Sequence, residues 1–125
     1  MRYDASNEQF KQAIKLIPTG SQTFSKSHYS IPRGAAPLFI EKGKGDKVWD
    51  IDGNEYVDLI NGLLSVSIGY CDEDVDMAIL NQLKNGINFS LSSKLETQVA
   101  EKLIELIPSA EMVRFGKSGT DATSA

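Results

Sequence analysis

MVRFGKSGTDA, Met112 to Ala122, reads as a short apolar strand (Met112 to Phe115), a glycine-containing turn, and the start of a helix from Ser118 onward. Strand, turn, helix is the entry to an α/β unit, so this stretch sets the fold class. A helix start carries unpaired N–H groups and partial positive charge, which suits an anion such as phosphate. The backbone donors of Gly119 and Thr120, with the hydroxyls of Ser118 or Thr120, are the groups that could hold it, and Gly119 would let the anion approach closely. The same residues support a plainer account, in which Ser118 caps the helix and Asp121, three residues on, closes the box. A nucleotide-triphosphate loop is a poor fit to the Gly116-Lys117-Ser118 tripeptide. Its pattern needs a glycine five residues earlier, where Glu111 stands.

Working back from the turn, Ser93 and Glu96 have capping-box spacing ahead of a stripe of Leu95, Val99, Leu103 and Ile107, which Pro108 ends. Asp72 is placed to cap another helix, with Val75, Ile79 and Leu83 on one face and Gly86 beyond its end. Leu38 to Glu41, Lys47 to Ile51 and Glu55 to Leu59 read as three short strands of an antiparallel meander, separated by GKGD and by Asp52-Gly53-Asn54. Asp50, Asp52 and Asp58 are expected to serve turn chemistry and to face solvent. Leu63 to Ile68 is an apolar run with serines, read as a packed connection. Near the start, Ser6 and Gln9 predict a capping box for a helix over about Asn7 to Leu16, with Phe10, Ala13, Ile14 and Ile17 on its apolar side and Pro18 as its stop. Between Thr19 and Pro37 lies a Ser-, Gly- and Pro-rich loop, long enough to be either a surface connector or a segment that lines a site or crosses to a second subunit.

The chain has 125 residues with 13 Lys+Arg, 17 Asp+Glu and a net charge of −4. No apolar run approaches the roughly 20 residues of a membrane span, and the scattered basic residues form no stripe for nucleic acid. A single cysteine, Cys71, and the absence of a signal-peptide pattern in MRYDASNEQF fit a cytoplasmic setting. One histidine, His28, and no metal-ligand spacing leave no metal site to expect. The change from strands to helices near Gly69 to Asp72 divides the chain into an N-terminal subdomain, 1–70, and the start of an α/β domain, 71–125. The last helix reaches Ala125 with no stop signal, which predicts an N-terminal piece of a longer protein.

LIPTGSQTFSK (Leu16 to Lys26), PLFIEKGKGDKVWDIDGNEYVDL (Pro37 to Leu59), Gly69-Tyr70, LETQVAEKLIELIPSAEMVRF (Leu95 to Phe115) and SGTDA (Ser118 to Ala122) follow one another in an order that resembles the class III aminotransferases. These are fold-type I pyridoxal-phosphate enzymes, and the resemblance is to their glutamate-1-semialdehyde aminomutase branch. It implies a small meander subdomain joined to a large, mainly parallel α/β domain, a homodimer with its active site at the subunit interface, and pyridoxal 5'-phosphate as cofactor. The cofactor phosphate would fall to Gly119 and Thr120, supported by Ser118. The substrate would fall to Thr23 and Lys26, where the aminomutases carry Ser and Arg. The lysine that carries the cofactor lies, in this family, beyond the equivalent of Ala125, so no lysine here is assigned to catalysis.

Departures from the family bear on the substrate. Gly69-Tyr70-Cys71-Asp72-Glu73 stands where G-H-x-H-P is common, Leu63-Leu64 where the aminomutases have Trp-Gly, and Lys117 where they have Asn. The implied function is amino-group movement on a small carbonyl or amino substrate, with an amino-sugar or nucleotide-sugar aminotransferase of the same class as the alternative. From the residues alone, a non-catalytic interaction domain with exposed helix stripes is the rival of another class.

Overall fold

The computed structural model describes residues 2–125. Its regular elements are α1 (Asp4–Leu16), β1 (Ile40–Lys44), β2 (Lys47–Asp50), β3 (Glu55–Val57), the one-turn segment α2 (Asn61–Leu64), α3 (Glu73–Leu83), α4 (Lys94–Leu106) and α5 (Gly119–Ser124). Packing divides the chain into two compact units, Met1–Asn81 and Gln82–Ala125.

In the first unit, β1, β2 and β3 form an antiparallel meander in sequence order. The β1–β2 hairpin closes on Gly45 and Asp46 alone, because Lys44 already pairs with Lys47. Gly45 has φ +58°, the left-handed value such a two-residue turn requires. β1 is shifted toward the hairpin relative to expectation, taking in Gly43 and Lys44 of the expected GKGD turn, while β2 and β3 end at Asp50 and Val57. Beyond those ends the pairing continues in single hydrogen bonds, Ile51 N–H to Phe39 C=O, 3.3 Å, and Asp58 N–H to Asp46 C=O, 2.9 Å.

Helix α1 buries Phe10 and Ala13 and ends at Leu16, before Pro18. The loop after it covers that face. His28 meets Phe10 edge-on at 5.1 Å between ring centroids, Arg33 lies 4.5 Å from the Phe10 ring, and His28 Nδ1 is 3.0 Å from the Thr19 carbonyl. Two short 3-10 turns, Pro18–Gly20 and Phe24–Lys26, give this loop its order.

The start of α1 departs from expectation. The helix begins at Asp4, and Ser6 is a buried residue inside it rather than its cap. Capping comes from Asp52 in the β2–β3 turn, whose Oδ1 accepts from the Ala5 amide at 2.6 Å and Oδ2 from the Ser6 amide at 2.9 Å. A carboxylate there answers both the unpaired amides and the helix dipole, so no local box is needed.

In the second unit, the Ser93–Glu96 capping box forms as expected, with the Ser93 amide donating to Glu96 at 2.9 Å. Gly86 takes φ +93° just past α3. Met112 to Phe115 is not a strand. A strand is defined by a neighbour that pairs with it, and among the described residues no segment runs beside this one.

Candidate functional site

The turn that opens α5 is built by Ser118 and Asp121. The Ser118 hydroxyl accepts from the Asp121 amide at 3.3 Å, and the Asp121 carboxylate accepts from the Ser118 amide at 2.8 Å and from its hydroxyl at 3.0 Å. This reciprocal box occupies the Ser118 and Asp121 amides. It leaves the amides of Gly119 and Thr120, which head the helix and have no acceptor within it. Both residues are exposed, as is the Thr120 hydroxyl-bearing side chain.

Gly119 is informative because the chain does not ask for glycine there. A Cβ added at Gly119 would meet nothing within 4 Å, and its φ lies outside the positive range that L side chains avoid. Glycine in a helix is otherwise less favourable than alanine.

Thr23 and Lys26 are brought together in the Phe24–Lys26 turn. The Lys26 amide donates to the Thr23 carbonyl at 3.2 Å, and the Thr23 hydroxyl lies 3.4 Å from that of Ser25. Both side chains are exposed, and no carboxylate among the described residues pairs with Lys26. They lie in the first unit, and Ser118, Gly119 and Thr120 lie in the second.

The three aspartates expected to face solvent behave otherwise. Asp50 has no exposed surface, and its carboxylate accepts from the Asp52 amide at 3.0 Å, the Asn54 amide at 2.8 Å, the Asn54 side chain at 2.8 and 3.1 Å, and the Tyr56 hydroxyl at 2.8 Å. Burial pushes its pKa up, but these hydrogen bonds outweigh burial and hold it below the usual carboxylate range. Tyr56 is raised by burial first, and by its bonds to Tyr3 and Asp50. Asp58 accepts from Tyr70 Oη at 2.6 Å, the Gly62 amide at 2.9 Å and the Ile60 amide at 3.0 Å. The Tyr70 hydroxyl is the largest influence lowering it, and Tyr70 is raised in return. The turn sequence between β2 and β3 could have signalled Asp50, since an aspartate that opens a turn commonly accepts from the amide two residues on, here Asp52. Nothing local signals the Asp58–Tyr70 pair.

Among the described residues there is no group of metal-binding side chains and no helix long and apolar enough to cross a membrane.

Comparison with known proteins matches residues 29–125 to the family Aminotransferase class-III. The chain is 39% identical over 125 residues to glutamate-1-semialdehyde 2,1-aminomutase 1 of Macrococcus caseolyticus, covering 100% of this chain and 29% of that protein. It is 40% identical over 116 residues to 3-aminobutyryl-CoA aminotransferase of Cloacimonas acidaminovorans, covering 92% of this chain and 28% of that protein. The crystal structure of a β-phenylalanine aminotransferase from Variovorax paradoxus superposes with a TM-score of 0.88 and 28% identity, over 98% of this chain and 27% of that one. The chain therefore spans less than a third of the length of these relatives. With residues 29–125, most of its length, matched to the family, the chain belongs to the class-III aminotransferases.

Proposed function

We propose that the turn opening α5 holds the phosphate of pyridoxal 5'-phosphate, in an aminotransferase or aminomutase that moves an amino group on a small carbonyl or amino substrate. The observation that carries this reading is Gly119, a glycine with open space above it at the head of a helix whose first two amides are unused. Family membership and relatives named both aminomutase and aminotransferase support it. When bound, the cofactor supplies the electron sink for amino-group transfer.

This chain's residues would bind and orient it. The Gly119 and Thr120 amides and the Thr120 hydroxyl would donate to phosphate oxygens, while Ser118 keeps the first turn in shape through Asp121. Lys117, next to the turn, adds positive field for the anion. Thr23 and Lys26 would bind substrate, Lys26 offering an acidic group a single point charge in place of the two-pronged contact of an arginine. Residues 1–70 act as the small subdomain and 71–125 as the start of the cofactor-binding domain. The working enzyme is a cytoplasmic homodimer with the active site at its interface.

Comparing the binding of pyridoxal 5'-phosphate with that of pyridoxal, which lacks only the phosphate group, tests the reading. The apoprotein is expected to prefer the phosphorylated form, and Gly119→Val to erase the preference. An equal preference in the variant would remove the turn from the site.

A further inference from the structure

The backbone of α2 runs left-handed through four successive residues, Asn61 (φ 55°), Gly62 (56°), Leu63 (60°) and Leu64 (69°). Gly62 and Asn61 tolerate such backbone, but it is disfavoured for the two leucines by contact between Cβ and the following carbonyl. Both flanks are right-handed, Ile60 at φ −92°, ψ −11° and Ser65 at φ −87°, ψ −11°. Burial within this chain does not explain the arrangement, because none of the four residues is buried and Leu63 and Leu64 are 49% and 81% exposed. A conformation that costs energy and packs little must be held by something else.

We propose that α2 is a sprung turn locked by a two-residue latch, Asp58 and Tyr70, and that opening the latch lets the turn relax to the right-handed backbone of its flanks, moving Leu63 and Leu64, while the meander stays folded. This inference is independent of the cofactor reading. The Asp58 carboxylate grips the turn from below, accepting from the Ile60 amide through Oδ1 and the Gly62 amide through Oδ2. The Asp58 amide ties the residue to the Asp46 carbonyl at 2.9 Å, and the carboxylate itself is oriented from beyond its own loop by the Tyr70 hydroxyl, at 2.6 Å. Tyr70 is fixed because its backbone exchanges two hydrogen bonds with Gly45, both 2.8 Å, and its ring lies across Gly43, where an added Cβ would come within 2.5 Å of it. The bare backbone of Gly43 thus seats the ring, the ring sets the hydroxyl, and the hydroxyl sets the carboxylate. Asp58 and Tyr70 are positioning residues for the turn, and the two leucines are what they position.

Hydrogen exchange of the full chain, followed by mass spectrometry, tests this. Tyr70→Phe keeps the ring on Gly43 and removes only the hydroxyl. It is expected to speed exchange of the Gly62, Leu64 and Val66 amides about 10- to 100-fold, the range for losing one hydrogen bond to a charged group. The β1–β3 amides should exchange as before. In the Tyr70→Phe background, Leu63→Gly or Leu64→Gly should restore protection to the turn, because glycine tolerates left-handed backbone. Unchanged exchange in Tyr70→Phe overturns the latch. Equal acceleration throughout the meander overturns it too, since Tyr70 would then support the sheet and not the turn. Faster exchange on adding the glycines overturns the strain.

Discussion

Replacing Gly119 by valine separates a binding turn from a mere helix cap. An added Cβ there meets nothing within 4 Å and the backbone is not in the left-handed range, so the chain has room for the larger side chain. The expected change in stability is within about 0.5 kcal/mol, the usual range for an exposed site. A phosphate seated against the Gly119 amide, by contrast, would meet the branched side chain directly. Thr120→Ala sets the scale for this loss. It keeps the amide and removes one hydroxyl bond to an anion, worth about 1.5–3 kcal/mol, so affinity for pyridoxal 5'-phosphate should fall roughly 10- to 100-fold. Gly119→Val should cost more than that. Ser118→Ala should act through the fold, removing a capping box worth about 1 kcal/mol and weakening binding less. The assay is calorimetric titration of the apoprotein variants with pyridoxal 5'-phosphate, with helix content checked by circular dichroism and pyridoxal as the control ligand. Unchanged affinity in both Gly119→Val and Thr120→Ala would refute the reasoning, as would losses that track unfolding in every variant.

Asp50→Ala strips a buried acceptor from the Asp52 and Asn54 amides, the Asn54 side chain and the Tyr56 hydroxyl, and should destabilise the meander by about 3 kcal/mol, read as a roughly 100-fold loss of hydrogen-exchange protection in β2 and β3. Acid should loosen the first unit. Asp50, Asp52 and Asp58 are held below their ordinary values, so their contribution is fully present above about pH 4 and is lost as pH falls through the depressed folded values. A circular-dichroism acid titration checks this, and Asp58→Asn should flatten part of the transition. Lys26→Ala should raise KM for an acidic substrate more than it lowers kcat, and Lys26→Arg should recover most of the loss. The 125-residue chain should self-associate in sedimentation experiments, because Ile79 on α3, Val99 on α4 and Met112 are 53%, 47% and 90% exposed. A sharp monomer boundary would count against this.

Elements whose determinants lie within a few residues were legible in the sequence. The Ser93–Glu96 box, the Asp72 cap, which accepts from the Val75 amide at 3.1 Å, and the stop at Pro18 all depend on neighbours along the chain. The α5 turn was legible for the same reason: Ser118 and Asp121 complete a local motif. Two of the features that escaped depend on distant partners. Ser6 and Gln9 have capping-box spacing, but Asp52, 46 residues from Ser6, reaches the helix start first. The handedness of α2 is set by Tyr70, 12 residues beyond Asp58, and no propensity of Leu63 or Leu64 hints at it. Asp50 looked like a surface turn residue because aspartate usually is one, and only the closure of the β2–β3 turn around it makes burial affordable.

The Asp52 cap also bears on how the chain is made. During synthesis, residues Asp4–Leu16 emerge ahead of the meander, with a hydrophobic side and two amides at their head awaiting a carboxylate that does not yet exist. At roughly 5–20 residues per second, Asp52 follows Leu16 by about 2–7 s. Over that interval the nascent helix has no N-terminal partner, and a helix of 13 residues is marginal on its own. Its folding is thereby postponed until the β2–β3 turn that caps it has left the ribosome, which ties the order of α1 to that of the meander.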